Sequence, residues 1–326
     1  MKRAKIIGTG AYAPKRILTN NDLEKMVETS DEWIVQRTGI RERHIAEDGE
    51  VTSDLAVRAA QQALERASVE PDEVEFIVVG TTTGDMPFPS TANFVQHKLR
   101  AKRAGSVDIW AACTGSVYSL SIAAQYIQTG KYRTVLAIGA ETLSRISDWT
   151  DRGTCILFGD AAGAAVLRPS PDDSGIIDTD LYSDARYAEL LYQPAGGSKH
   201  PASHETVDKR MHYVKMKGNE VFKVAVRMLG ECALAILEKN GFRPDEVDLF
   251  IPHQANLRII EAAAKRLQLP MGKVFVNIDR YGNTSAASIY VALEEAWSQG
   301  RIKPGDLLLF AAFGGGLTWG SALVRW

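Results

Sequence analysis

The strongest constraint in this chain is that it repeats itself. Pro71-Asp-Glu-Val74 and Pro244-Asp-Glu-Val247 are the same four residues standing 173 positions apart (244 − 71), and Leu64-Glu65 maps onto Leu237-Glu238 with the same shift. Each copy follows a helix-patterned segment and precedes a short apolar run, Phe76-Ile-Val-Val79 in one and Leu249-Phe-Ile251 in the other. Carrying the shift forward lays Val135-Leu-Ala-Ile138 on Leu308-Leu-Phe-Ala311, Cys113 on Ala286, and Gly80 on His253. A long repeat whose unit alternates helix and strand predicts an α/β chain made of two pseudo-equivalent halves. The turn-rich stretch Arg168-Pro-Ser-Pro-Asp-Asp-Ser-Gly175 divides them, giving a first half at 1–170 and a second at 171–326.

Cys113 stands where an apolar run gives way to a helix. In Asp108-Ile-Trp-Ala-Ala-Cys113-Thr-Gly-Ser-Val117 small residues flank the thiol, and Val117, Leu120, Ala124 and Ile127 then recur at helical spacing. A sulfur at the positive end of a helix dipole is expected to become a thiolate. The other two cysteines, Cys155 and Cys232, lie in apolar or helical patterns and read as core. The repeat supplies partners for Cys113. His253 follows a strand-like run, and Asn283 opens Gly282-Asn283-Thr-Ser-Ala-Ala-Ser288, the stretch that contains the counterpart of Cys113. A thiol, an imidazole and a neutral amide at corresponding strand ends form a workable set for covalent catalysis.

Other features carry less. Gly8-Thr-Gly10-Ala-Tyr-Ala13 fits the dinucleotide fingerprint formally, but Pro14 stands where the phosphate-binding helix should begin and no βαβ unit follows. Trp33 and Arg37 are four apart and share a helix face, which suits either a clamp for a planar phosphorylated group or an ordinary amphipathic helix. Residues 184–217 have little periodicity and read as a lid over a cleft or as an insertion without a role.

Composition narrows the classes. With 326 residues, 45% of them hydrophobic, the chain can bury a substantial core, and a net charge of -2 gives it no general attraction to nucleic acid or anionic membranes. Three widely spaced cysteines fit a reducing cytosol better than a disulfide framework. The first residues lack the apolar region of a secretory signal and no stretch reaches membrane-spanning length, so a cytoplasmic location is expected.

Four motifs together resemble a known family: Ala111-Ala-Cys113-Thr-Gly-Ser116, Pro252-His253-Gln-Ala-Asn256-Leu-Arg258-Ile-Ile260, Gly282-Asn283-Thr-Ser-Ala-Ala-Ser288 and Phe313-Gly-Gly-Gly316-Leu-Thr-Trp-Gly320. Their order and spacing are similar to β-ketoacyl-acyl-carrier-protein synthase III, and the similarity runs from residue 5 to the C-terminus. The resemblance implies a thiolase-like αβαβα layered fold. It implies that Cys113 takes an acyl group from an acyl-CoA, that His253 and Asn283 hold the thioester carbonyl of a malonyl-acyl-carrier protein, and that the amides of Cys113 and Gly316 form an oxyanion hole. By the same resemblance Thr29, Trp33, Arg37, Arg152, Asn219 and Asn256 bind CoA, while Leu143, Phe158, Leu190 and Phe313 line the acyl pocket. Phe88 would close the neighbour's pocket across a homodimer, although here it follows Met86-Pro87. Arg258, Lys265 and Arg266 share a helix face and would dock the acidic carrier protein, though such faces are usually only solvated. Acyl-CoA and carrier protein enter as substrates, and no cofactor or metal is expected.

Alternatives differ in chemistry. Cysteine, histidine and asparagine also make the papain-like set, but the signature around that family's cysteine is absent. Phe313-Gly-Gly-Gly316 lacks the second cysteine of a thiolase, and Asn283 stands where chain-elongating synthases resemble a Cys-His-His set. Thr81-Thr-Thr-Gly-Asp85 lacks the glutamate a hydroxymethylglutaryl-CoA synthase would want. Secondary-metabolite acyltransferases keep the same triad and are the main competing reading, with a non-catalytic scaffold as the plainest one.

Overall fold

The structure, a computed structural model, describes residues 2–326. The repeat appears as two sheets with matching strand order. The first runs Ala4–Tyr12, Asp160–Pro169, Val135–Thr142, Phe76–Gly80, Gly105–Ile109; the second runs Gly175–Ser183, Thr318–Arg325, Leu307–Gly314, Leu249–Pro252. The second copy lacks a full equivalent of Gly105–Ile109. Its place is marked by a single bridge between Phe250 and Val274. Phe76–Gly80 lies parallel to both of its neighbours, as Leu249–Pro252 does to Leu307–Gly314, and such pairs need helical crossovers.

Those crossovers cover both faces of each sheet. All eight residues of Val135–Thr142 and all eight of Leu307–Gly314 are therefore buried, and these strands read as runs rather than alternations. Helices Gly115–Gln128 and Ser288–Ser298 lie between the sheets, where Val117, Leu120, Tyr290 and Leu293 meet Val78 and Val135 of one sheet and Ile251 and Phe310 of the other. Outside, Thr52–Ala67 and Thr91–Leu99 cover the first sheet, and Gly218–Lys239 and Leu257–Arg266 the second. The result is the five-layered αβαβα arrangement. Truncating a fully buried Leu such as Leu120 to Ala in this shared core would cost about 2–5 kcal/mol.

The two central helices begin close together, and this closeness sets the site. A Cβ on Gly139 would lie 2.0 Å from the Ala286 carbonyl oxygen, so only glycine lets the first sheet meet the second half's turn there. Gly8 and Gly10 lie within the first strand, pressed onto helix Thr52–Ala67, and form no phosphate loop. Residues 184–217 are built, not loose. Leu191–Tyr192 pairs with Lys215–Met216, and the buried Asp148 carboxylate holds both Arg210 and Lys215. Among the described residues no helix is long and apolar enough to cross a membrane.

Candidate active site

Cys113 sits in a 3-10 turn, Ala112–Thr114, that feeds helix Gly115–Gln128. As the second residue of that turn its amide is among those that no helical carbonyl accepts. The glycine hairpin after strand Leu307–Gly314 comes against it: a Cβ on Gly314 would lie 2.6 Å from the Cys113 nitrogen. Gly316, the other expected oxyanion donor, lines the same cavity as Cys113.

The burial of Cys113 opposes the expected thiolate. Burial pushes the Cys113 thiol up to about 12, the charge of Glu141 adds to the shift, and a hydrogen bond with Ser285 opposes it. Cys155 and Cys232 are likewise buried free thiols, raised to about 11 and about 12 by burial.

His253 follows strand Leu249–Pro252 and is almost wholly buried. Its Nδ1 lies 2.7 Å from Ser288 Oγ, which accepts the Gln254 N–H at 3.1 Å. The proton of Ser288 is thus free to go to Nδ1, which leaves the hydrogen on Nε2. Nε2 is buried without a partner and faces the site. Burial alone depresses the imidazole to about 3, so His253 acts as a neutral donor. Asn283 is fixed differently: its Oδ1 accepts the Ser285 N–H at 2.9 Å, which turns Nδ2 free as the second donor.

Cys113 borders two cavities. One, of about 100 Å³, is lined by His253, Asn283, Phe313, Phe222 and Asn256. The other, of about 330 Å³, is walled by Leu143, Phe158, Ile146, Val214 and Leu191, with Trp110 at its edge. Of the expected acyl-pocket residues, Leu143 and Phe158 line this larger cavity, Phe313 lines the smaller one, and Leu190 lines neither. Leu190 points into the outer core with Ala225 and Phe313, and its neighbour Leu191 lines the pocket, because a one-residue step along an extended chain changes faces. Phe88, expected to close the neighbour's pocket, is 84% exposed and does not line either cavity at Cys113 of its own chain.

Four of the expected CoA residues, Trp33, Arg37, Arg152 and Asn256, contact one another. Arg37 and Arg152 both stack on Trp33, 4.6 and 4.9 Å from its centroid, so two guanidinium groups share one indole ring. Asn256, which lines the smaller cavity, caps helix Leu257–Arg266 and donates from Nδ2 to the Arg37 carbonyl at 2.8 Å. Thr29 keeps a buried hydroxyl without a partner, and Asn219 is exposed beside Gly218, which lines that cavity. Of the basic trio, Lys265 is exposed, Arg258 lies over the Phe222 ring, and Arg266 pairs with Glu231 at 3.2 Å and rests on Gly230.

Sequence patterns missed Glu141, Ser285, Ser288 and Val214. Glu141 had a signal, an acid at the end of an otherwise apolar strand. Ser285 had none, since its role comes from a backbone at φ +46°, which a non-glycine residue adopts at a cost on the order of 1–3 kcal/mol.

Comparison with known proteins agrees with this geometry. Residues 107–185 match the family described as 3-oxoacyl-[acyl-carrier-protein (ACP)] synthase III, and residues 237–326 match the one described as its C terminal. The chain is 54% identical to the β-ketoacyl-[acyl-carrier-protein] synthase III of Caldanaerobacter subterraneus subsp. tengcongensis, over 99% of this chain and 98% of that one. Crystal structures of 3-oxoacyl-[acyl-carrier-protein] synthase III from Aquifex aeolicus VF5 and of the Thermus thermophilus enzyme each superpose with a TM-score of 0.92. They are 52% and 44% identical, covering 99% of this chain in both cases and 100% and 99% of those chains. The fold and the site define a thiolase-fold condensing enzyme, an acyltransferase. Within that class, the chain belongs to the β-ketoacyl-[acyl-carrier-protein] synthase III family.

Proposed function

We propose that this protein joins an acyl group from acyl-CoA, with acetyl-CoA the expected primer, to malonyl-acyl-carrier protein and releases 3-oxoacyl-carrier protein, the opening condensation of fatty acid synthesis. The observation that carries the reading is one cavity on which the Cys113 sulfur meets two unengaged donors, His253 Nε2 and Asn283 Nδ2. Cys113 attacks the thioester carbonyl, CoA leaves, and the acyl group stays on sulfur in the larger cavity. Malonyl thioester then occupies the smaller one. Loss of carbon dioxide puts negative charge on its thioester oxygen, and the two neutral donors stabilise that enolate. Its carbon attacks the acyl-Cys113 carbonyl, whose oxygen takes hydrogen bonds from the Cys113 and Gly316 amides, and collapse frees the sulfur.

A neutral imidazole suits this role. A charged one would hold the malonyl carboxylate and slow its departure, whereas burial keeps His253 uncharged and still able to donate. Two donors of different type also resist proton loss to each other. No step calls on a metal or cofactor.

Further parts of the reading are a homodimer, carrier docking and a cytoplasmic location. Strand Gly105–Ile109 is an edge with Val107 exposed, and Phe88 and Met86 project nearby in sequence, which supports a partner subunit covering them. Lys265 and Arg258 support docking better than Arg266, which Glu231 already engages. Mass spectrometry after incubation with acetyl-CoA tests the whole: an acyl adduct on Cys113, then carbon dioxide and a 3-oxo product once malonyl-carrier protein is added. Free acid alone would mean hydrolysis, and no adduct would sink the enzyme reading.

A further inference from the structure

The largest fully buried side chain among the described residues is a cation without an anion. Arg43, in strand Glu42–Ile45, has no exposed surface, and its guanidinium meets only neutral oxygens. Nη1 donates to the Leu18 carbonyl at 3.2 Å and to Asn20 Oδ1 at 2.9 Å, Nη2 donates to the Ile156 carbonyl at 2.7 Å, and Nε has no partner. A buried charge with no counter-ion is costly as a packing device, and an apolar chain of similar length would fill the space for less. What the guanidinium has and an apolar chain lacks is a planar fork that ties separate segments together at fixed angles.

The segments it ties belong to the site. After Ile156 come Leu157, Phe158 and Gly159, and this stretch runs beside Asn283. The Asn283 N–H donates to the Leu157 carbonyl at 2.8 Å, the Gly159 N–H donates to the Asn283 carbonyl at 3.0 Å, and Phe158 and Asn283 form a parallel bridge. The stem of Arg43 packs against the same two strips of backbone: a Cβ on Gly159 would lie 3.0 Å from the Arg43 Cβ, and one on Gly282 would lie 3.2 Å from it. Arg43 therefore meets the Asn283 region at two points, with its fork at Ile156 and its stem at Gly282. Its Nη1 arm reaches the other way, to Asn20, whose Nδ2 donates to Asp31 Oδ1 and to the Ile40 carbonyl at 2.8 Å each. Asp31 opens helix Asp31–Thr38, which carries Trp33 and Arg37.

We propose that Arg43 is a positioning residue for the Asn283 donor. It fixes the stretch from Ile156 to Gly159, that stretch fixes the Asn283 backbone, and the Ser285 N–H on Oδ1 then leaves Nδ2 for the cavity. Arg43 itself touches no substrate, and no proton or bond passes through it. The role rests on the condensation reading above, in which Asn283 shares the enolate charge. A donor held slightly off the place where that charge develops loses most of its effect.

Single-turnover assays on the full chain read the two stages separately: acyl-Cys113 formation from acetyl-CoA, then 3-oxoacyl-carrier protein once malonyl-carrier protein is added. Arg43→Lys keeps the charge but loses the fork, and Arg43→Met loses both. Each is expected to slow condensation about 10- to 10²-fold while changing acyl loading by less than about threefold. A double-mutant cycle with Asn283→Ala supplies a readout that a merely structural role would not move. Because Arg43 acts through that side chain, Arg43→Lys should deepen the Asn283→Ala loss by less than about threefold. Native condensation in folded Arg43→Lys, equal loss in both stages, or losses that multiply in the double variant would each overturn the proposal. Should both Arg43 variants fail to fold, Asn20→Ala removes one oxygen of the three and should show the same split and the same non-additivity with a smaller loss. If it too fails to fold, Arg43 is a strut of the fold alone and the proposal falls. A native protein that forms no 3-oxo product would instead overturn the condensation reading itself.

Discussion

The two halves carry the same turn, and comparing them separates what the fold supplies from what chemistry adds. Ala112–Thr114 and Ser285–Ala287 are both 3-10 turns entering a central helix, and both open on a left-handed non-glycine residue, Ala112 at φ +45° and Ser285 at φ +46°. The backbone is therefore duplicated down to its strain. In the first turn the second residue is Cys113; in the second it is Ala286, with a hydroxyl before it. The strand ends diverge in the same way, Gly80 in one half and His253 in the other. One copy presents sulfur, the other presents donors, and neither copy alone is a site.

The comparison breaks most completely if sulfur can work from either turn. In the Cys113→Ala/Ala286→Cys double variant no acyl group should form at position 286, because Ala286 is fully buried and lies against Gly115 and Gly139; an adduct there by mass spectrometry would end the asymmetry. Folding comes next. Gly139→Ala would drive a methyl into the Ala286 carbonyl and should lower stability by at least about 1–3 kcal/mol, read as a falling denaturant midpoint; unchanged stability would mean the turns can separate.

Removing a donor should hit one stage only. Asn283→Ala is expected to slow condensation about 10²- to 10³-fold while acyl-Cys113 still forms, measured by single-turnover assays. Equal loss in both stages would place Asn283 in acylation as well. A smaller effect concerns pH. The folded His253 is depressed to about 3 while the unfolded imidazole titrates near 6.5, so its contribution to stability is complete above about pH 6.5 and declines as pH falls toward 3. Thermal melts of native protein and His253→Asn should therefore converge toward acid. Least of all, Lys209→Ala removes an exposed ion pair to Glu205 and should shift stability by under about 1 kcal/mol.

Much of this was legible in the residues. The repeated Pro-Asp-Glu-Val and its flanking runs placed four strands and the two central helix starts, because burial on both faces leaves continuous apolar runs. Cys113, His253 and Asn283 could be brought together because the repeat is a statement about three-dimensional equivalence. What stayed hidden depended on side-chain direction and environment. Leu190 and Leu191 are equally apolar, and only the local strand decides which one faces the pocket. A dipole at Cys113 can be read from a pattern, whereas the burial that opposes a thiolate there is set by tertiary packing, and the residues that share its cavity, Leu143, Phe158 and Val214, come from distant parts of the chain.

The cavity whose wall carries Asn256, His253, Asn283 and Cys113 has a consequence for traffic. Under the reaction proposed above, acyl-CoA and the malonyl carrier would have to approach one sulfur past that same wall, so the two could not be seated together, and order would follow from space alone.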